Sequence, residues 1–170
     1  MNYKRIFVPN AYIFITLVTY NRKQILIDNI DVLRNSIKNS KQKYNYELIA
    51  IVVNYDHMHF IINPNNIDDY PKIIAEIKRY FTKHINLKYT LNDNKEADIW
   101  QRRYWEHTII DEEDLYRHLD YIHYNPMKHY NIAPKDWEYS SFKKFVEKGY
   151  YELSWCNFED KHKILNMDCE

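Results

Sequence analysis

Two apolar runs, Glu47-Leu48-Ile49-Ala50-Ile51-Val52-Val53 and His57-Met58-His59-Phe60-Ile61-Ile62, stand only three residues apart, and this pairing constrains the fold most. Both are rich in β-branched and apolar residues, so both read as strands, and Asn54-Tyr55-Asp56 between them reads as a tight turn. The first run is apolar enough to be buried on both faces. Strands of this kind need neighbours and helices to cover them, and the flanking sequence supplies both. Tyr12 to Tyr20 is a third β-branched and aromatic run. A helix is expected over about residues 29–43, with Asp28 as its N-cap and Ile30, Leu33, Ile37 and Tyr44 in one stripe. Pro64-Asn65-Asn66 ends the histidine strand, and a second helix follows over about residues 68–87, carrying Ile73, Ile74, Ile77, Phe81 and Ile85 at helical spacing. After the loop Asn92-Asp93-Asn94-Lys95, Tyr104 to Ile110 offers a fourth strand. A helix over about residues 111–124 begins in acidic residues that suit its dipole and is expected to stop at Pro126. A short helix is expected around Ser141–Lys148. The order β-α-β-β-α-β predicts an α+β fold, the ferredoxin-like split βαβ arrangement. It is an antiparallel sheet with helices on one face, plus an added C-terminal helix. Residues 1–155 read as one domain and 156–170 as a C-terminal tail.

Composition then removes whole classes of chemistry. The chain holds a single glycine, Gly149, so glycine-rich phosphate loops are excluded, and any phosphate chemistry must use side chains or a metal. No apolar run reaches the ~18 residues of a membrane span. Met1-Asn2-Tyr3-Lys4-Arg5-Ile6-Phe7 lacks the pattern of a signal peptide, so a cytoplasmic protein without membrane partners is expected. Cys156 and Cys169 have no metal-type spacing and fit free thiols in a reducing compartment. The net charge is zero, but charge is unevenly distributed. Lys72, Lys78, Arg79, Lys83 and Lys88 face only Glu76 in their segment, whereas Glu106, Asp111, Glu112, Glu113, Asp114 and Asp120 face only Arg117 in theirs. Either run also reads as a solvated helix surface.

Two groupings carry candidate chemistry. His57 and His59 are i and i+2 in a strand, so both imidazoles project from one face, at a separation suited to one divalent ion. Two surface histidines on an edge strand would give the same pattern. A polar pair on an otherwise buried strand nevertheless needs a reason. In the later helix, Tyr121 and Asn125 are i and i+4 and share one face. That arrangement could set a phenol nucleophile beside an amide ligand, or could be a helix whose tyrosines cap the core.

Three ordered motifs resemble one family. His57-Met58-His59 after an apolar strand is similar to the His-hydrophobic-His motif of single-tyrosine insertion-sequence transposases. The segments from Gln101 to His107 and from Asp120 to His129 resemble the REP-associated tyrosine transposase branch. Trp137-Glu138-Tyr139-Ser140-Ser141-Phe142 resembles its tail. The likeness runs from about residue 4 to 155. It implies a ferredoxin-like enzyme that nicks and rejoins single-stranded DNA at hairpin ends, with Tyr121 on the added helix as the nucleophile and His57, His59 and Asn125 as metal ligands. Covalent capture as phosphotyrosine would conserve the bond energy for rejoining.

The donor set is compatible with Mg²⁺ or Mn²⁺, and zinc also suits histidines. Lys78, Arg79, Lys83, Arg102, Arg103 and Trp105 are candidate DNA contacts, and Glu106 and His107 candidate supports from the neighbouring strand. The expected partner is single-stranded or hairpin DNA, with monomer and homodimer both open. The competing readings are a non-catalytic ferredoxin-like single-stranded nucleic-acid-binding protein and a zinc hydrolase. The second lacks a clear third ligand with a general-base carboxylate, and leaves Tyr121 unexplained.

Overall fold

In a computed structural model, which describes residues 8–156, four strands form one antiparallel sheet. They are β1 (Ile13–Val18), β2 (Tyr46–Val53), β3 (His57–Pro64) and β4 (Trp105–Thr108), in the order β2-β3-β1-β4. Helices α1 (Ile30–Lys43) and α2 (Tyr70–His84) connect them, and α3 (Glu112–Tyr130) and α4 (Phe142–Glu147) follow. This is the ferredoxin-like α+β arrangement expected from the element order. Residues 1–7 and 157–170, and with them Cys169 and most of the expected tail, lie outside the described residues. None of the described helices is long and apolar enough to cross a membrane.

Strand alternation divides the sheet into two unlike faces. Ile13, Ile15, Leu17, Met58, Phe60 and Ile62 point to α1 and α2, where they meet Leu33, Ile73, Ile77 and Phe81 in the larger core. Phe14, Ile61, Val52 and Ala50 point the other way, to Leu119, Tyr121 and Ile122 of α3. Buried Glu76 of α2 accepts from Asn39 and Lys43 of α1 at 2.8 and 2.5 Å, and also pairs with Arg79, so the two covering helices are tied at their exposed rim.

Three local expectations are corrected. The run expected to be buried on both faces, β2, is the edge strand, with Glu47 exposed and Leu48 and Ile49 half-buried. Its later half is nonetheless covered, because Tyr139–Ser141 lies along it: Val53 N donates to Tyr139 O at 2.8 Å and Ser141 N to Ile51 O at 2.9 Å. An edge sealed by its own chain offers no free ladder to another molecule. The N-cap of α1 is Asn29 rather than Asp28. Finally, Pro126 does not stop α3, which runs on to Tyr130 and ends at Asn131 in the left-handed conformation, φ 54°. A proline inside a helix costs about 3 kcal/mol. Packing offsets that cost, since Tyr130 stacks on Trp137 at 5.3 Å and meets Tyr55 edge-on at 5.2 Å.

Phe14 is where α3 rests on the sheet. Its ring lies 4.7 Å from His118, 5.5 Å from Trp105, 5.7 Å from His59 and 6.0 Å from Tyr121. Replacing Phe14 by alanine is expected to cost about 3–5 kcal/mol of stability, as for other buried Phe-to-Ala changes. Urea unfolding should report this loss as a lower midpoint at unchanged slope; a change under about 1 kcal/mol would show that α3 is held elsewhere.

Candidate functional site

The site lies between β3 and α3 and is sealed from solvent. His57, His59, Asn54, Tyr121 and Asn125 are all no more than 1% exposed. His57 and His59 share the α3 face of the sheet, as their i, i+2 spacing requires, with ring centroids 5.0 Å apart. Burying imidazoles and carboxamides without partners would cost about 1–3 kcal/mol each, so their partners decide the state of the site.

Asp56 accepts a hydrogen bond from His57 Nδ1 at 2.6 Å. A carboxylate can only accept, so Nδ1 carries the proton and Nε2 presents its lone pair inward. Burial pushes the Asp56 carboxyl up. The His57 hydrogen bond and the Arg22 charge outweigh it and hold Asp56 below the ordinary carboxylate value. His59 Nδ1 lies 2.8 Å from the Thr16 hydroxyl, its direct cross-strand neighbour on β1. That hydroxyl can accept from Nδ1, again directing Nε2 inward. Asn54, at the end of β2, donates through Nδ2 to His57 Nε2 at 2.8 Å and also to Asn125 Oδ1. Asn54 Oδ1 and Asn125 Nδ2 have no hydrogen-bond partner among the described residues.

Helix α3 supplies the rest. Tyr121 packs edge-on against His59, centroids 5.1 Å apart. Lys128, two turns later on the same stripe, donates from Nζ to the Tyr121 hydroxyl at 3.2 Å and lies 5.0 Å from its ring centroid. His129 meets His57 edge-on at 4.8 Å. The other tyrosines of α3 point elsewhere: Tyr124 faces Trp155, centroids 6.5 Å apart, Tyr130 stacks on Trp137, and Tyr116 is exposed and bonded to Glu112. Inward-facing imidazole nitrogens and neighbouring amide oxygens form a donor set that fits one divalent ion, so His57, His59 and Asn125 could hold it together.

A second cluster sits at the start of α3. His107 Nε2 lies 2.7 Å from Asp114 Oδ2, and His118 Nδ1 lies 3.1 Å from Asp114 Oδ1. Asp114 also accepts from Ile110 N and from Arg117, and the two imidazoles stack at 4.7 Å with an interplanar angle of 11°. That hydrogen-bonding already accounts for the buried carboxylate as an anchor of the helix. His107 therefore steadies α3 from β4 through its bond to Asp114. Glu106 faces the other side of the sheet, where its Oε1 accepts from Tyr70 of α2 at 3.0 Å, so it is not brought to the site.

Of the basic candidates, Lys78, Arg79, Lys83 and Arg102 line one cleft of about 620 Å³, with Tyr20, Tyr89 and Trp100. The buried Trp100 Nε1 has no partner among the described residues. Lys78 donates to the carbonyls of Gln101 and Arg102 at 2.7 and 3.3 Å, and burial pulls its ammonium down to about 8. Thr19 and Arg22 connect this cleft to the histidines, because Thr19 N donates to Asp56 O at 2.9 Å and Arg22 pairs with Asp56 at 3.5 Å. Trp105 is half-buried on the histidine face, across β1 from His59, whereas Arg103 is exposed outside the cleft. Thr16, Asn54, Asp56, Lys128 and His129 were not singled out by sequence reasoning. Asp56, adjacent to the histidine pair, and Lys128, on the same helix stripe as Tyr121, carried a local signal.

With that geometry in hand, comparison with known proteins is informative. Residues 7–125 match the family model described as "Transposase IS200 like". A REP-associated tyrosine transposase of Escherichia coli is 35% identical over 156 residues, covering 90% of this chain and 89% of that protein. A Haemophilus influenzae protein provisionally given the same name is 41% identical over 162 residues, covering 91% and 92%. The solved structure of a REP-associated tyrosine transposase bound to a REP hairpin superposes with a TM-score of 0.84 at 31% identity, covering 99% of this chain and 96% of that one.

The tautomer assignment can be tested directly. Long-range ¹⁵N–¹H spectra at neutral pH are expected to show His57 protonated at Nδ1, with Nε2 unprotonated. In Asp56→Ala this preference should weaken while that of His59 persists. A His57 signal protonated at Nε2 in the wild type would overturn the assignment.

Proposed function

This chain belongs to the IS200-like transposase family, in its REP-associated tyrosine branch, and from that premise we propose that it nicks and rejoins single-stranded or hairpin DNA through a covalent bond to Tyr121. The observation that carries this reading is the meeting of Tyr121 with His57, His59 and Asn125 beneath one helix. Tyr121 Oη attacks phosphorus, a new P–O bond forms, and the bond to the departing strand breaks. The departing oxygen leaves as a hydroxyl. One phosphodiester-type bond replaces another, so attack by a second strand end restores DNA without an external energy source.

The phenol must lose its proton to attack. Lys128, donating to the hydroxyl at 3.2 Å, favours negative charge on that oxygen. His57, His59 and Asn125 would hold a divalent ion, Mg²⁺ or Mn²⁺, which would supply Lewis-acid screening of the phosphate oxygens. Because Tyr121 is 0% exposed, DNA reaches it only when α3 shifts on the sheet. A non-catalytic binding module is not favoured, since it assigns no task to Lys128 at the buried Tyr121 hydroxyl.

The basic cleft supports a path for DNA. Lysine and arginine attract phosphates, and Tyr20 and Tyr89 offer faces for unpaired bases. The solved relative holds a REP hairpin, and we extend hairpin binding to this chain. Lys78 makes the proposal testable by pH. With its ammonium at about 8, Lys78 loses its charge as pH rises from 7 to 9, and phosphate attraction falls with it. Hairpin affinity measured by fluorescence anisotropy should therefore fall over that range. Lys78→Gln should bind more weakly at pH 7 and show a flatter profile; equal profiles would place the DNA path elsewhere.

The chemistry is tested with a labelled hairpin taken from DNA flanking the gene. In Mn²⁺ the wild type should leave DNA attached to protein under denaturing conditions, with the adduct mapping to Tyr121. Tyr121→Phe should bind DNA but form no adduct, and Tyr124→Phe should retain it. Cleavage by Tyr121→Phe at the wild-type rate would end the single-tyrosine mechanism. Lys128→Met should slow adduct formation by about 10²-fold or more at pH 7 and move its pH profile upward.

A further inference from the structure

Asn54 is wholly buried at the mouth of the β2–β3 turn, and the chemistry above gives it no task. Its single NH₂ group donates both to His57 Nε2, at 2.8 Å, and to Asn125 Oδ1. These are two of the atoms assigned to the divalent ion. A donor between two lone pairs holds them together much as a cation would. At the other end of the same side chain, Oδ1 is buried with no hydrogen-bond partner among the described residues. The two ends of a carboxamide have nearly the same shape, so a half-turn about its last bond exchanges them in place.

We propose that Asn54 is a fourth ligand of the divalent ion, with its amide turning from donor to acceptor as the ion enters. The inference rests on the reading of His57, His59 and Asn125 as ligands. Spacing supports it. Ligand atoms at right angles around an octahedral ion, each about 2.1 Å from it, lie roughly 3 Å apart. Asn54 Nδ2 already stands 2.8 Å from His57 Nε2, so an oxygen exchanged into its place sits at ligand spacing. As arranged here, the NH₂ group sits between His57 Nε2 and Asn125 Oδ1 and holds both facing it, which prepares the site for the ion.

Two consequences follow for ion choice. A set of two imidazoles and two amide oxygens is harder than one dominated by nitrogen or sulfur, which shifts preference from zinc toward Mn²⁺ and Mg²⁺. Four protein ligands on a six-coordinate ion leave two positions, enough for a phosphate oxygen and one water.

The test is Mn²⁺ binding to the full chain without DNA, read by calorimetry and by the electron paramagnetic resonance signal of free Mn²⁺. Asn54→Leu removes both polar ends at similar volume, and Asn54→Asp places oxygen at both. Asn54→Leu should bind Mn²⁺ about tenfold or more weakly, while Asn54→Asp should bind it more tightly than the wild type. Thermal unfolding in chelator checks that each variant is folded; if Asn54→Leu is not, Asn54→Asp decides alone, and weaker binding there overturns the proposal. Wild-type affinity in folded Asn54→Leu, with lost affinity in His57→Ala, overturns the role of Asn54 and leaves the histidine site standing. Wild-type affinity in His57→Ala overturns the histidine reading and the Asn54 proposal with it.

Discussion

Two imidazoles and two carboxamides are sealed between a β-sheet and a helix, and each polar end must find a partner there or cost stability. That burial explains features scattered widely in the sequence. Asp56 and Thr16 stand at Nδ1 of His57 and His59, in the two places where a partner directs the opposite nitrogen inward. Asn54 spans His57 and Asn125 across 71 residues of chain. Lys128 brings a charge to a phenol that is otherwise packed on aromatic rings. A site of this kind is held by hydrogen-bond satisfaction, with the aromatic bed of Phe14 giving α3 its seat.

The same constraint divides labour across the sheet. The face toward α1 and α2 is almost wholly apolar and supplies most of the core. The face toward α3 trades apolar burial for buried polar side chains and has the smaller apolar cluster. Such a layer can shift without exposing the main core, which suits the proposal that α3 moves to uncover Tyr121. The cleft on the α2 side meets the histidines at one end of the sheet through Thr19, Arg22 and Asp56, so the proposed DNA path and the proposed reaction centre adjoin without sharing residues.

The local expectations that needed correction share a cause. Pro126 and β2 were each read from local propensity, and in both cases distant chain decided the outcome. Trp137 and Tyr55 hold the last turn of α3 past its proline, and Tyr139–Ser141 covers the outer edge of β2. Glu106 and His107 show the opposite case. Strand alternation alone places neighbouring residues on opposite faces, and the register with β1 puts Glu106 beside Ile15 and His107 beside Phe14.

The sequence by itself determined the order of elements, the shared face of His57 and His59, and the shared stripe of Tyr121 and Asn125, because these follow from periods of two and 3.6 residues along one chain. It also carried the family resemblance, which depends on ordered motifs rather than contacts. Only the tertiary structure decided which face α3 covers, which partners stand at Nδ1 of each histidine, and that Asn54 lies between His57 and Asn125. Those facts depend on contacts between segments far apart in the chain, and residue spacing contains no term for them.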